Sequence, residues 1–216
     1  MSPKKANTWL APDKWSGLPP PDGAVPLYSA AHKMWVYERT TTATTSLEFN
    51  QGSYVGNGGT QTITVGFAPK VVVVKADASG AGAAGAIRTD TMSTAKVIVG
   101  GAANTAGISA LTTTDASFTV VFTGADVFDT NASGVTYYWY AFGRFAETGT
   151  YAGTGVAQSI TGVGFSPTMV WVISVDDVND AVVWKSSAMP AASSLNFAAL
   201  NEATNEITAL GTDGFT

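Results

Sequence analysis

The stretch GSYVGNGGTQTITVGFAPKVVVVK, Gly52 to Lys75, returns as GTYAGTGVAQSITGVGFSPTMVWVIS, Gly149 to Ser174. Tyr54 matches Tyr151, Gly58 matches Gly155, Ile63 matches Ile160, Phe67 matches Phe165 and Pro69 matches Pro167. The spacing is 97 residues at Gly52 and Gly149, and 98 at Pro69 and Pro167, after one extra residue near Gly162. A self-match of this length at a fixed period marks a duplicated module, so any fold for this chain has to be built twice. Its residue types are structural. Glycines turn the chain, Ile and Val alternate with Thr and Gln, and Gly-Phe-x-Pro precedes an apolar run. None of these positions suits a nucleophile, a general base or a metal ligand.

The duplication divides the chain. Residues 1–46 lie before it, residues 47–145 form module one, and residues 146–216 form module two. In module one TQTITVGF alternates apolar and polar, the period of a half-buried strand, and KVVVVKA is a β-branched run suited to a sandwich interior. SLEF, AIRTD, KVIVGG, GISALTTTD, ASFTVVFTG and VTYYWYAFGRF supply further short strands between turn clusters. Ala78 to Ala86 is a Gly/Ala loop without the Gly-Lys-Ser/Thr ending of a phosphate cradle. Many short strands and frequent turns predict an all-β fold, an antiparallel β-sandwich or jelly roll, repeated. Only AAHKM near His32 and SLNFAALNEA near Leu195 carry any helical character.

Module two follows the same order. Ile108, Ala110 and Leu111 match Ile207, Ala209 and Leu210; Asp115, Phe118 and Thr119 match Asp213, Phe215 and Thr216. Module one then continues from Val120 to Phe145, and nothing in the sequence matches that segment. The second copy is therefore expected to be incomplete, lacking about its last two strands. Three explanations present themselves: a cut within a longer chain, strands supplied by another subunit, or a decayed module capped by assembly. The first is favoured, because a sequence stopping inside a motif usually reflects a cut.

Residues 1–46 read differently. They hold Trp9, Trp15 and Trp35, with Arg39 and four lysines. LPPPDGAVP is an extended spacer, since each proline fixes its own φ and biases its predecessor away from helix. KMWVYER suits one strand, and TTTATTS is a Thr-rich hinge. So short an arm cannot bury three tryptophans alone. It packs back on the domain or docks on a partner, and the enrichment of aromatic and Arg side chains at interfaces favours docking through Trp9, Trp15, Trp35 and Arg39.

Charged residues are only 12% of the chain, about half the usual share, which leaves a surface solvated mainly by hydroxyls. A net charge of −5 lacks the electrostatic footprint of nucleic-acid binding. There is no cysteine, hence no disulfide or thiolate metal site. No run is apolar enough to span a bilayer, and the N-terminus lacks the apolar core of a secretion signal. His32 is the single histidine and suits a surface or an interface better than a catalytic dyad. The acidic loop Asp176, Asp177, Asn179, Asp180 has oxygen ligands but not the EF-hand pattern, so a polar loop is favoured over calcium; the same holds for Asp126, Asp129 and Asn131. No cofactor, metal or catalytic residue is expected. In Thr136 to Phe142, alternation puts Tyr138, Tyr140 and Phe142 on one face and Tyr137 and Trp139 on the other, one of them core. Trp171 and Trp184 are the candidate surface aromatics of module two.

Gly-x-Tyr-x-Gly-Asn-Gly at Gly52 to Gly58, Gly-Phe-x-Pro at Gly66 to Pro69, Val71 to Val74, and Tyr-Tyr-x-x-Ala-Phe at Tyr137 to Phe142 together resemble a β-sandwich repeat of tailed-bacteriophage virion proteins, found in tail fibres, spikes and head decorations. The second copy departs from the pattern at Thr154 and lacks the aromatic ending. The resemblance covers Leu47 onward. It implies a non-enzymatic virion protein with no catalytic residue to carry over. The arm, residues 1–46, would anchor to capsid, portal or tail, and the modules would project as fibre, spike or decoration. A homo-oligomer, such as a trimer, would suit it. The competing expectation is a carbohydrate- or host-receptor-binding module, stacking a surface glycan on exposed aromatics.

Overall fold

The computed structural model describes residues 24–29, 34–39, 48–77, 85–98, 103–104, 107–124, 129–144, 146–174, 182–197, 203–204 and 206–216. Every element among them is a strand, and every strand pairing is antiparallel. The chain forms two units, Met1–Ser46 and Leu47–Thr216.

In the first unit β1 (Ala24–Ser29) pairs with β2 (Met34–Arg39), with Tyr28 opposite Trp35 and Ala24 opposite Arg39. The expected spacer therefore ends earlier than its prolines imply. Pro26 sits inside β1, opposite Tyr37, a position that a proline tolerates in a strand with one free edge. Trp9, Trp15 and His32 lie outside the described residues.

In the second unit, module one contains β3 (Phe49–Val55), β4 (Thr60–Thr64), β5 (Val71–Ala76), β6 (Ala86–Thr89), β7 (Ala95–Val97), β8 (Ala103–Asn104), β9 (Gly107–Thr112), β10 (Ser117–Val121) and β11 (Thr136–Phe142). They make two sheets, ordered β3-β11-β5-β6-β7-β8 and β4-β10-β9. Side chains of both sheets meet in one core. Val72, Val74, Tyr137, Trp139 and Ala141 come from the first; Ile108, Phe118 and Val120 come from the second. Phe118 meets the indole of Trp139 edge-on, with ring centroids 5.6 Å apart. The Arg88 guanidinium on β6 donates to the carbonyls of Ile108 and Ser109 on β9, at 3.1 and 2.9 Å, and so ties the sheets.

The valine run is one-sided. Val72 and Val74 are fully buried, whereas Val71 and Val73 are half-buried, so the run does not have two covered faces. Its alternation is masked in the sequence because both faces carry the same residue.

Module two contains β12 (Ile160–Thr161), β13 (Met169–Val172), β14 (Val183–Ser186), β15 (Ser193–Asn196), β16 (Ala203–Thr204) and β17 (Gly214–Phe215). They form a β12-β17 pair and a sheet ordered β13-β14-β15-β16. The helical character near Leu195 is overruled. Ser193–Asn196 is a strand, because Trp184 and Val183 of β14 pair with Leu195 and Asn196. Pairing to a neighbour outweighs a weak local preference.

The duplication extends to register. Ile63 faces Phe118 in module one, and Ile160 faces Phe215 in module two. Val72 faces Arg88, and Val170 faces Lys185. Lys185 then donates to the carbonyls of Pro190 and Ser193 at 2.8 and 2.5 Å, a bridge within the β14-β15 hairpin rather than the inter-sheet tie of Arg88.

Candidate functional site

The repeated motif is a structural brace. Its glycine turn leans on the loop that precedes β11. Gly56 donates to the Val135 carbonyl at 2.8 Å, Gly58 donates to the Asn131 carbonyl at 2.9 Å, and Gly134 donates to the Gly56 carbonyl at 2.9 Å. A Cβ at position 56 would fall 2.1 Å from the Ala132 carbonyl oxygen, so only glycine allows that approach. The fully buried Asn131 side chain accepts from the Asn57 amide and donates to Asn57 Oδ1 at 2.8 Å and to the Gly59 carbonyl at 3.0 Å.

Two tyrosines lie beneath this turn, rings stacked at 5.2 Å and 14°. Tyr54 donates to the Thr130 carbonyl at 2.5 Å; Tyr137 accepts from the Ala132 amide at 3.0 Å. Burial pushes both phenols above their ordinary pKa. Asp129 is buried too, accepting from the Thr123 and Gly124 amides at 3.2 and 3.0 Å. Asp129 and Asn131 therefore hold a loop together from buried positions rather than from a solvated surface. Asp126 and the loop Asp176 to Asp180 lie outside the described residues. Among the described residues no three His, Cys, Asp or Glu side chains gather where a metal could bind, and no helix is long and apolar enough to cross a membrane.

The copies differ at this turn. Thr154 stands where module one has Asn57, and it donates to the nearby Val156 carbonyl at 3.3 Å. Tyr54 is 7% exposed, whereas its counterpart Tyr151 is 46% exposed.

The surface with binding character is aromatic. β11 alternates as expected: Tyr137, Trp139 and Ala141 are buried, while Tyr138 and Tyr140 point outward. Phe49 stacks on Tyr140 at 6.4 Å and meets Phe142 at 5.2 Å. Phe142 meets Trp171 of module two edge-on at 6.4 Å. Trp171 contacts Phe197 at 5.3 Å, and Phe197 contacts Trp184 at 6.1 Å. One band of rings thus crosses both modules. Between β3 and β11 it is dented by an open hollow of about 310 Å³, lined by Gln51, Gly52, Ser53, Tyr138 and Tyr140 among others.

Trp171 and Trp184 face each other across the β13-β14 ladder and are half-buried, so they are inner members of the band rather than free platforms. Its exposed members are Phe49, Tyr138, Tyr140 and Phe197. Phe49 and Phe197 were not legible as such. Phe49 joins because it is register partner of Phe142, and Phe197 because it follows a strand that reads locally as helix. Trp35 and Arg39 lie on β2 of the first unit.

Rigid aromatic side chains offer large contact area at low entropic cost, on proteins or on the apolar faces of sugars. Comparison with protein-family models, curated proteins and solved structures finds no match.

Proposed function

We propose that this chain is a non-enzymatic structural protein of a bacteriophage particle. Residues 1–46 dock on capsid, portal or tail, and the two β-modules project as fibre, spike or decoration, in a homo-oligomer. The observation that carries the reading is the pair of modules built in one register and joined along a single band of rings from Phe49 to Trp184. Such a band is a contact surface, rich in the residue types that dominate interfaces and poor in charge. Low charge and hydroxyl-rich strands suit a surface repeated in many copies, where weak contacts add by avidity. The sequence resemblance to phage virion repeats supplies the particle.

Quantitative mass spectrometry of purified particles from the host that carries the gene tests this. The chain should be present at many copies per particle, and a version beginning at Leu47 should fail to incorporate. A chain found only in the soluble fraction overturns the reading.

A second reading is favoured by the hollow beside Tyr138 and Tyr140: glycan or host-receptor binding by stacking on these two rings. Saturable binding of a surface polysaccharide that is lost in Tyr138→Ala/Tyr140→Ala would establish it.

A further inference from the structure

Asn57-Gly58 is the single Asn-Gly pair of the chain. In such a pair the glycine backbone nitrogen can attack the asparagine carboxamide carbon, because glycine has no side chain to shield it. A bond forms between the Gly58 nitrogen and Asn57 Cγ. The carboxamide nitrogen leaves as ammonia, taking up the proton of the Gly58 amide, and a cyclic succinimide results. Water then opens the ring at either carbonyl, to aspartate or to isoaspartate. Aspartate keeps the main chain as it was, whereas isoaspartate routes it through the side chain and lengthens it by a methylene. Asn57 and Gly58 are both exposed, so water reaches them.

The brace restrains both reacting groups. The Gly58 amide donates to the Asn131 carbonyl at 2.9 Å, so the proton that has to leave is already committed. Asn57 Oδ1 accepts from the Gly59 amide at 2.9 Å and from Asn131 Nδ2 at 2.8 Å, which turns the carboxamide oxygen towards Gly59 and fixes it there. The Asn57 amide donates to Asn131 Oδ1 at 3.2 Å, and Asn131 is fully buried. Attack therefore requires the turn to leave the loop before β11. Module two holds the same turn without this restraint. Gly58 and Gly155 share a left-handed backbone, with φ of 74° and 76°. A Cβ at Gly58 would meet Ser133 at 3.3 Å, whereas one at Gly155 would meet nothing within 4 Å. Thr154 and Gly155 are both exposed.

We propose that Asn57 is a self-modification site gated by the brace. While the brace is closed the amide is protected, and each opening of the turn exposes it to succinimide closure. Isoaspartate then keeps the turn open, because a methylene added between residues 57 and 58 breaks the spacing with which Gly56 bonds Val135 and Gly58 bonds Asn131. The site thus records how often this end of module one has opened. The inference rests on the geometry of the brace and is independent of the kind of particle the protein serves.

The test incubates the full chain at mildly alkaline pH beside a peptide spanning residues 50–62, and follows Asn57 by mass-spectrometric peptide mapping with isoaspartate resolved from aspartate. In the folded chain Asn57 should convert slower than in the peptide by about tenfold or more, because conversion waits for local opening. Thr154→Asn sets the same pair in the open turn of module two, at an exposed position outside the core. The amide at position 154 should convert faster than Asn57 of the same molecule by about tenfold. Asn131→Ala removes both side-chain bonds to Asn57 and should bring its rate towards that of the peptide. If Asn131→Ala does not fold, the comparison of positions 57 and 154 decides alone. Equal rates at those two positions, or a folded rate equal to or above that of the peptide, overturn the proposal. So does a peptide in which Asn57 stays intact.

Discussion

Tyr54 shows how much one side chain of the repeat carries. Its ring stacks on Tyr137 and its hydroxyl bonds the Thr130 carbonyl, so it joins the end of β3 to the loop before β11. Tyr54→Phe keeps the ring and removes the bond, leaving a buried carbonyl short of a donor. The expected loss is about 1–3 kcal/mol in chemical denaturation at neutral pH. The pH dependence separates this from a packing effect. Burial raises the folded-state pKa of Tyr54 and Tyr137 above the unfolded phenol value of about 10. A raised pKa means stability that is whole below that value and is lost as pH rises past it. Between about pH 8 and about pH 11 the wild-type denaturation midpoint should therefore fall further than that of Tyr54→Phe, narrowing the gap between them. An unchanged gap would mean that Tyr54 ionises alike in both states.

At the scale of elements, the readable parts were those whose local pattern agrees with their neighbours. In β11 the alternation of Tyr137 to Phe142 identified both faces, because inward and outward residues differ in what they pack against, although all are apolar or aromatic. The glycine turn was visible as a turn, but its role was not. Asn57 grips Asn131, far along the chain, and no short-range pattern encodes that contact. β15 was misleading for the same reason: Ser193 to Asn196 is made a strand by Trp184 across the ladder. The aromatic band was half visible, with Tyr138, Tyr140, Trp171 and Trp184 apparent and Phe49 and Phe197 requiring the register. β3 offers a test at this scale. Gly52 lies opposite Trp139, and a Cβ there would sit 2.8 Å from the indole Cζ2. The indole is wedged against Phe118 and has little room to shift. Gly52→Ala should cost about 1–3 kcal/mol by overpacking, read as a lower Tm with a red-shifted Trp emission. An unchanged Tm would mean that the core at Trp139 is loosely filled.

For the whole molecule, the two copies share a register but not a degree of closure. Module one has two sheets over a common core and a buried polar brace at one end. Among the described residues, module two has β12 paired with β17 through two residues, and a four-strand sheet whose first strand, β13, is paired on the β14 side alone. Local stability follows buried contacts and paired backbone, so the copies should open at different free energies despite their common ancestry. Hydrogen exchange on the chain alone should find Val71 to Ala76 protected to the global limit. Met169 to Val172 should exchange faster by roughly tenfold or more. One contact between the copies is that of Phe142 with Trp171, whose rings meet at 6.4 Å. Phe142→Ala removes that contact along with the Phe49 ring contact, so it should speed exchange in β13 more than in β5. If instead β13 proves as protected as β5, the half-buried Val170 and Val172 hold their backbone as firmly as the fully buried Val72 and Val74 do, and burial does not set the local opening energy here.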